Sequence, residues 1–171
     1  MKTQVWAHRG ASAYAPENTL EAFRLAAEMG ADGVELDVQL SRDGKLVVAH
    51  DETIDRVSNG TGYIKDYTLA QLKKLSFNRL FPDFKDARIP TLKEVYELLK
   101  PAGLTVNVEL KTGIILYPEI EEKVLALTAS MGMEDRVIYS SFCHPSLVRL
   151  KELDSGLKTG LLYSDGWIDA A

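Results

Sequence analysis

Four apolar, strand-like runs in this 171-residue chain each end on residues capable of acid–base or metal chemistry. Val5–Ala7 leads into His8-Arg9-Gly10, and Gly33–Val38 carries Glu35 and Asp37 two apart. Leu46–Ala49 leads into His50-Asp51, and Thr105–Leu110 carries Glu109, with Lys111 two beyond it. Side chains alternate faces along a strand, so Glu35 shares a face with Asp37 and Glu109 shares one with Lys111. The interleaved Val34, Leu36, Val38 and Val106, Val108, Leu110 are then expected to face covering helices. That leaves the acids pointing to the other, equally enclosed side. Two carboxylates ~4 Å apart repel by roughly 4 kcal/mol at an effective dielectric of about 20. Whole domains are stable by only ~5–15 kcal/mol, so the cluster requires a cation or a proton. A metal is the simplest supplier.

The remaining pattern alternates strands with amphipathic helices. Pro16-Glu17-Asn18-Thr19 opens the first helix, with Asn18 expected as its cap and Gly30 as its stop. Thr68 with Gln71, and Thr91 with Glu94, have the spacing of capping boxes. Pro118 and Pro145 each start a later helix, Gly156 is expected to close the second, and Val137–Ser141 and Thr159–Tyr163 are the last strands. Such alternation implies a parallel sheet with right-handed crossovers. Leu40–Lys45 instead reads as a tight turn between two antiparallel strands. Residues 51–88 form the longest stretch without strand signal; leaving directly from His50-Asp51, they are expected to form either a lid beside the site or a packed excursion. The whole, 1–171, reads as one domain.

Charge narrows the partners. Lys and Arg number 20 against 25 Asp and Glu, a net charge of −5 with the signs interspersed. That leaves no basic stripe for nucleic acid and no polybasic patch for a membrane. Cys143 is the only cysteine, so disulfides and thiolate zinc sites are excluded, and it is expected to be a small buried thiol. The opening MKTQVWAHRG has no signal-peptide apolar region, and no run is long enough to cross a membrane, so a cytoplasmic location is expected.

Glu35, Asp37 and Glu109 offer hard oxygen ligands that suit Mg²⁺ or Ca²⁺ better than zinc. His8 and His50 are expected on opposite sides of the acidic strand, and histidine is the side chain suited to act as a base or an acid near neutral pH. Arg9 and Lys111 are fixed cations suited to the non-bridging oxygens of a phosphate, although a salt bridge from Arg9 to Asp51 or Glu17 is an alternative. His144 before Pro145 is better explained as a helix-cap residue.

The segments AHRGASAYAPENTLEAF, GVELDVQLSRDGKLVVAHD, RVSNGTG, IPTLKEV and VNVELK resemble, in order, the motifs of the glycerophosphodiester phosphodiesterase family. The resemblance implies an α/β fold of TIM-barrel type that hydrolyses glycerophosphodiesters to sn-glycerol 3-phosphate and an alcohol with a divalent cation. It implies Glu35, Asp37 and Glu109 as metal ligands, His8 and His50 as the acid–base pair, and Arg9 and Lys111 as phosphate contacts. Glu17 and Asn18 match the Pro-Glu-Asn-Thr motif that shapes the first loop, and Asp51 matches the His-Asp motif. Either water or the glycerol 2-hydroxyl is the attacking group. Family barrels carry two further strand–helix units, so a barrel truncated to about six of its eight strands is expected. The first and sixth strands would then be open edges that invite pairing with another copy. Rival readings are a sphingomyelinase D-like or lysophospholipase D-like enzyme and a non-catalytic phosphate- or metal-binding module.

Overall fold

The computed structural model describes residues 3–164. Its first half runs β1 (Trp6–His8), α1 (Leu20–Glu28), β2 (Gly33–Leu40), β3 (Leu46–Val48), α2 (Leu69–Leu72) and α3 (Leu92–Ala102). Then follow β4 (Thr105–Leu110), α4 (Ile120–Met131), β5 (Val137–Ser141), α5 (His144–Leu153) and β6 (Thr159–Leu161). The strands pair in the order β1-β2-β4-β5-β6, all parallel, and β3 pairs antiparallel with β2. Among the described residues β1 and β6 end this order, so the sheet is open there, as expected of a truncated barrel. No helix among them is long and apolar enough to cross a membrane.

Alternation along β2 and β4 works as expected. Val34, Leu36, Val38, Val106, Val108 and Leu110 are all buried in one cluster with Phe23 of α1, Tyr96 and Leu99 of α3, and Ile120 and Val124 of α4. Each such side chain contributes ~1.5–3 kcal/mol by leaving water. Packing is tight at Gly10, in the left-handed region at φ 76°, where a Cβ would lie 2.7 Å from the backbone of Ala22 in α1. Any larger residue there would push α1 off the sheet.

Both predicted capping boxes form, at Thr68/Gln71 and Thr91/Glu94. Three other details differ. Thr19, not Asn18, caps α1, because Asn18 sits at φ 56° with its side chain turned inward to Asp37. Helix α5 ends at Asp154, whose carboxylate accepts from the Gly156 N–H in the following turn. The first strand is Trp6–His8, shifted one residue on from the run Val5–Ala7, because β2 offers a parallel partner only from Gly33, which faces Trp6.

The excursion between β3 and α3 is packed. Ile54, Ile64, Leu72, Phe77 and Ile89 form a second buried cluster with Val47 and Ala49. Local hydrogen bonds fix its start, from Ser58 Oγ to the Ile54 carbonyl at 2.7 Å and from the Gly60 N–H to Ser58 Oγ at 3.0 Å. This is a small core of its own, built beside the site.

Candidate active site

The route of β3 decides where the two histidines meet. The Glu35 carbonyl accepts from the Arg9 N–H at 3.0 Å, and the Asp37 carbonyl accepts from the Ala49 N–H at 3.0 Å. Residues of the same parity point their backbone groups to the same flank of a strand, so β1 and β3 lie on one flank of β2, with β4 on the other. Strand β3 enters opposite Leu40 and runs back toward the end of β1. His50 is thereby delivered toward His8 on the same side of the acidic strand, not across it. The turn at Leu40–Lys45 is what reverses the chain.

On the inner face, Asp37 and Glu109 are direct cross-strand neighbours, and Glu35 lies one pleat below beside His8. One oxygen from each of Glu35, Asp37 and Glu109 lies within 4.8 Å of the others. Asp37 is wholly buried and Glu109 nearly so. Burial, with the charge of Asp37, pushes the Glu35 carboxyl up to about 8. Cations line the cluster: Lys111 Nζ lies 3.0 Å from Glu109 and 3.7 Å from Asp37, and Arg9 Nε lies 3.7 Å from Asp37. Asn18 Nδ2 donates to Asp37 Oδ2 at 2.8 Å, and the Arg9 N–H donates to Glu35 Oε2 at 3.1 Å. Even so, Glu35 Oε1 and Asp37 Oδ1 are buried without a hydrogen-bond partner. Converging hard oxygens with unfilled lone pairs fit a divalent cation of the Mg²⁺ or Ca²⁺ type. Arg9, like Asn18, has positive φ, 57°, the kind of local strain that persists where surrounding contacts over-determine a site.

The histidines are held differently. His8 lies 3.7 Å from Glu35 Oε2 with its side chain 68% exposed, and burial of its inner edge together with Arg9 lowers its pKa. His50 places Nδ1 2.6 Å from Asp51 Oδ1. Burial opposes ionisation of Asp51, but hydrogen bonds from Arg56 and His50 outweigh it and bring its pKa down to about 2. A cleft beside the carboxylates is lined by Glu52, Glu109, Lys111, Ile114 and Phe142.

A model of the glycerophosphoryl diester phosphodiesterase family matches residues 8–169. The chain belongs to that family. Over 170 residues it is 53% identical to a glycerophosphodiester phosphodiesterase of Caldanaerobacter subterraneus, covering 99% of this chain and 70% of the relative. The crystal structure of a glycerophosphodiester phosphodiesterase from Agrobacterium tumefaciens is 37% identical with a TM-score of 0.84, covering 92% of this chain and 66% of that one. An Oleispira antarctica phosphodiesterase in complex with the product sn-glycerol-3-phosphate is 35% identical, TM-score 0.82, over 95% of this chain and 66% of that one. The chain therefore spans just under two thirds of these solved family chains. The six-stranded open sheet of the described residues corresponds to part of the family's barrel.

Eight of the ten residues singled out in the sequence form the acidic cluster or lie one contact from it or from Arg9, whereas His50 and Asp51 pair with each other and connect to it through Arg56, Glu17 and Arg9. Glu17 accepts from Arg9 Nη1 at 3.1 Å, so the expected alternative for Arg9 is realised with Glu17, while Arg9 Nε stays unpartnered toward Asp37. His144 stands outside the cluster as the first residue of α5, with Cys143 rather than His144 at the cap, and its Nε2 meets the Leu162 carbonyl. Sequence reasoning leaves two residues beside the site unassigned. Gln39 follows Glu35 and Asp37 on the inner face, wholly buried, and its amide donates to the carbonyls of Ala49, His50 and Asp51 at 2.9, 3.2 and 2.7 Å. Tyr117 donates to Gln39 Oε1 at 2.9 Å. The period-two rule that found the acids extends one step further to Gln39. Arg56 is the other, standing first in RVSNGTG.

Proposed function

We propose that the chain hydrolyses glycerophosphodiesters to sn-glycerol 3-phosphate and an alcohol, using a divalent cation held by Glu35, Asp37 and Glu109. The observation that carries this is the carboxylate cluster with its two unpartnered buried oxygens, in a chain related to an enzyme crystallised with that product. Mg²⁺ or Ca²⁺ held by these three carboxylates would supply charge neutralisation at the phosphate and would acidify a nearby hydroxyl. Arg9 and Lys111 contribute fixed positive charge for the non-bridging phosphate oxygens. Arg9 Nε has a donor to give, and Lys111 already stands 3.0 Å from Glu109 beside the cleft. His8 takes the proton of the attacking hydroxyl. His50 protonates the departing alkoxide through Nε2, because Nδ1 is committed to Asp51. Each proton transfer is worth ~10²–10⁴-fold.

The test is release of glycerol 3-phosphate from glycerophosphocholine with Mg²⁺, Ca²⁺ or chelator present. Turnover that needs a divalent cation and disappears in Asp37→Asn is expected. Binding of glycerol 3-phosphate without turnover under every condition would replace the enzyme reading with that of a phosphate-binding module.

A further inference from the structure

Arg56 touches neither the acidic cluster nor, by any direct contact, a histidine, yet it joins the two halves of the site. Its Nε donates to Asp51 Oδ2 at 2.7 Å and its Nη2 to Asp51 Oδ1 at 3.1 Å. Its Nη1 donates to Glu17 Oε2 at 2.8 Å and its Nη2 to Glu17 Oε1 at 2.7 Å. All three guanidinium nitrogens are thus spent on two forked carboxylate pairs, the geometry for which arginine is suited and lysine is not. A guanidinium so committed is poorly placed to bind substrate phosphate as well. Its two partners are the residues that contact site cations and bases: Asp51 meets His50 Nδ1, and Glu17 meets Arg9.

We propose that Arg56 is a positioning residue: one guanidinium holds Asp51 against His50 and Glu17 against Arg9, setting both from a single point. The proposal rests on the phosphodiesterase reading for its consequence, though not for its geometry. An ionised Asp51 only accepts hydrogen bonds, so the proton must sit on Nδ1 of His50 and leave Nε2 free to exchange one with substrate. The excursion after β3 then has a purpose other than covering the site. Ile54 is wholly buried in its small core and the Ser58 turn fixes the chain just beyond, so Arg56 is presented from a rigid platform.

The experiment uses the full chain with Arg56→Met and Arg56→Lys. Long-range ¹H–¹⁵N spectra distinguish protonated from unprotonated ring nitrogens, and the chain has only three histidines, so His50 is assigned by its loss in His50→Gln. With the ring neutral, the parent is expected to show a single Nδ1–H tautomer at His50 and both variants a mixture of tautomers. Hydrolysis of glycerophosphocholine should fall about 10–100-fold in kcat, the usual cost of losing a residue that orients a site group, with little change in KM. Lysine should restore little, because one ammonium cannot fork to two carboxylates. A raised KM with kcat retained would make Arg56 a substrate contact. An unchanged His50 tautomer with only a lower melting temperature would make it structural. Either result overturns the proposal. The spectra need no turnover, so they decide the positioning role even if the parent hydrolyses nothing.

Discussion

His8 and His50 arrive on the same flank of β2, but they are held in opposite ways. His50 is gripped from three directions: its ring by Asp51, its neighbouring carbonyls by Gln39, and Asp51 in turn by Arg56. His8 ends an edge strand of three residues, exposes most of its side chain and meets Glu35 only at 3.7 Å. The difference follows from topology. Strand β3 is buried between β2 and the packed excursion, whereas β1 has β2 on one side and no strand on the other among the described residues. Precise orientation belongs to the half of the site that is enclosed; the other half rests on an open edge.

The largest effects should show that the chemistry is shared despite the unequal grip. His8→Ala and His50→Ala are each expected to cost ~10²–10⁴-fold in kcat/KM while leaving the rise in melting temperature on adding Mg²⁺ or Ca²⁺ nearly intact. Asp37→Asn should abolish both turnover and that rise. If removing His8 left activity unchanged, the open edge would be structural only, and His50 would have to serve both proton transfers.

Next comes the grip itself. Gln39→Leu strips three carbonyls and the Tyr117 hydroxyl of a buried partner. Each buried group left unsatisfied costs ~1–3 kcal/mol, although relaxation recovers part of the sum. A loss of roughly 2–4 kcal/mol in urea unfolding and a fall of about tenfold or more in kcat are expected. If stability fell with kcat unchanged, the clamp would support the fold without orienting His50.

Much of this was visible in the sequence, and what was not has a physical pattern. Residues on the regular strands β2 and β4 obey period two, so Glu35, Asp37, Glu109 and their apolar neighbours fall on the faces expected of them. The flank on which His50 arrives does not follow from alternation, because it depends on which edge of β2 the antiparallel β3 occupies. Asn18 misled for a related reason: before a helix it has cap chemistry, but here its amide is drawn inward by the charge of Asp37. Arg56 opens the RVSNGTG motif, but its role gave no local signal, since its partners lie 5 and 39 residues away and meet only in the folded chain.

Two carboxylates sharpen the comparison through pH. Glu35, beside the open β1, is raised from an ordinary 4.5 to about 8 by burial and by Asp37. The folded chain therefore binds more protons there than the unfolded one, and stability should fall as pH rises from about 4.5 to about 8. Asp51, despite burial, is lowered from 3.8 to about 2 by hydrogen bonds from Arg56 and His50. Its contribution is present above 3.8 and is lost as pH falls toward about 2. Urea unfolding across pH with chelator should show both slopes. Saturating Mg²⁺ should flatten the first, because it holds Glu35 ionised in the folded state, and leave the second. A neutral-range slope unaffected by metal would place the cation elsewhere.

The smallest effect is expected where the open side has its own counterpart to Gln39. Ser12 Oγ donates to the His8 carbonyl at 2.8 Å, the side-chain bond that steadies the end of β1 as Gln39 steadies the end of β3. The resemblance stops at solvent. The contact is exposed, so water can replace the hydroxyl at the carbonyl once it is removed. Ser12→Ala should therefore change stability by no more than about 0.5 kcal/mol and leave kcat almost unaltered, as is usual for surface substitutions. A kcat loss matching that of Gln39→Leu would mean that His8 is oriented as tightly as His50, and that exposure at the edge of a sheet is no measure of how firmly a catalytic side chain is held.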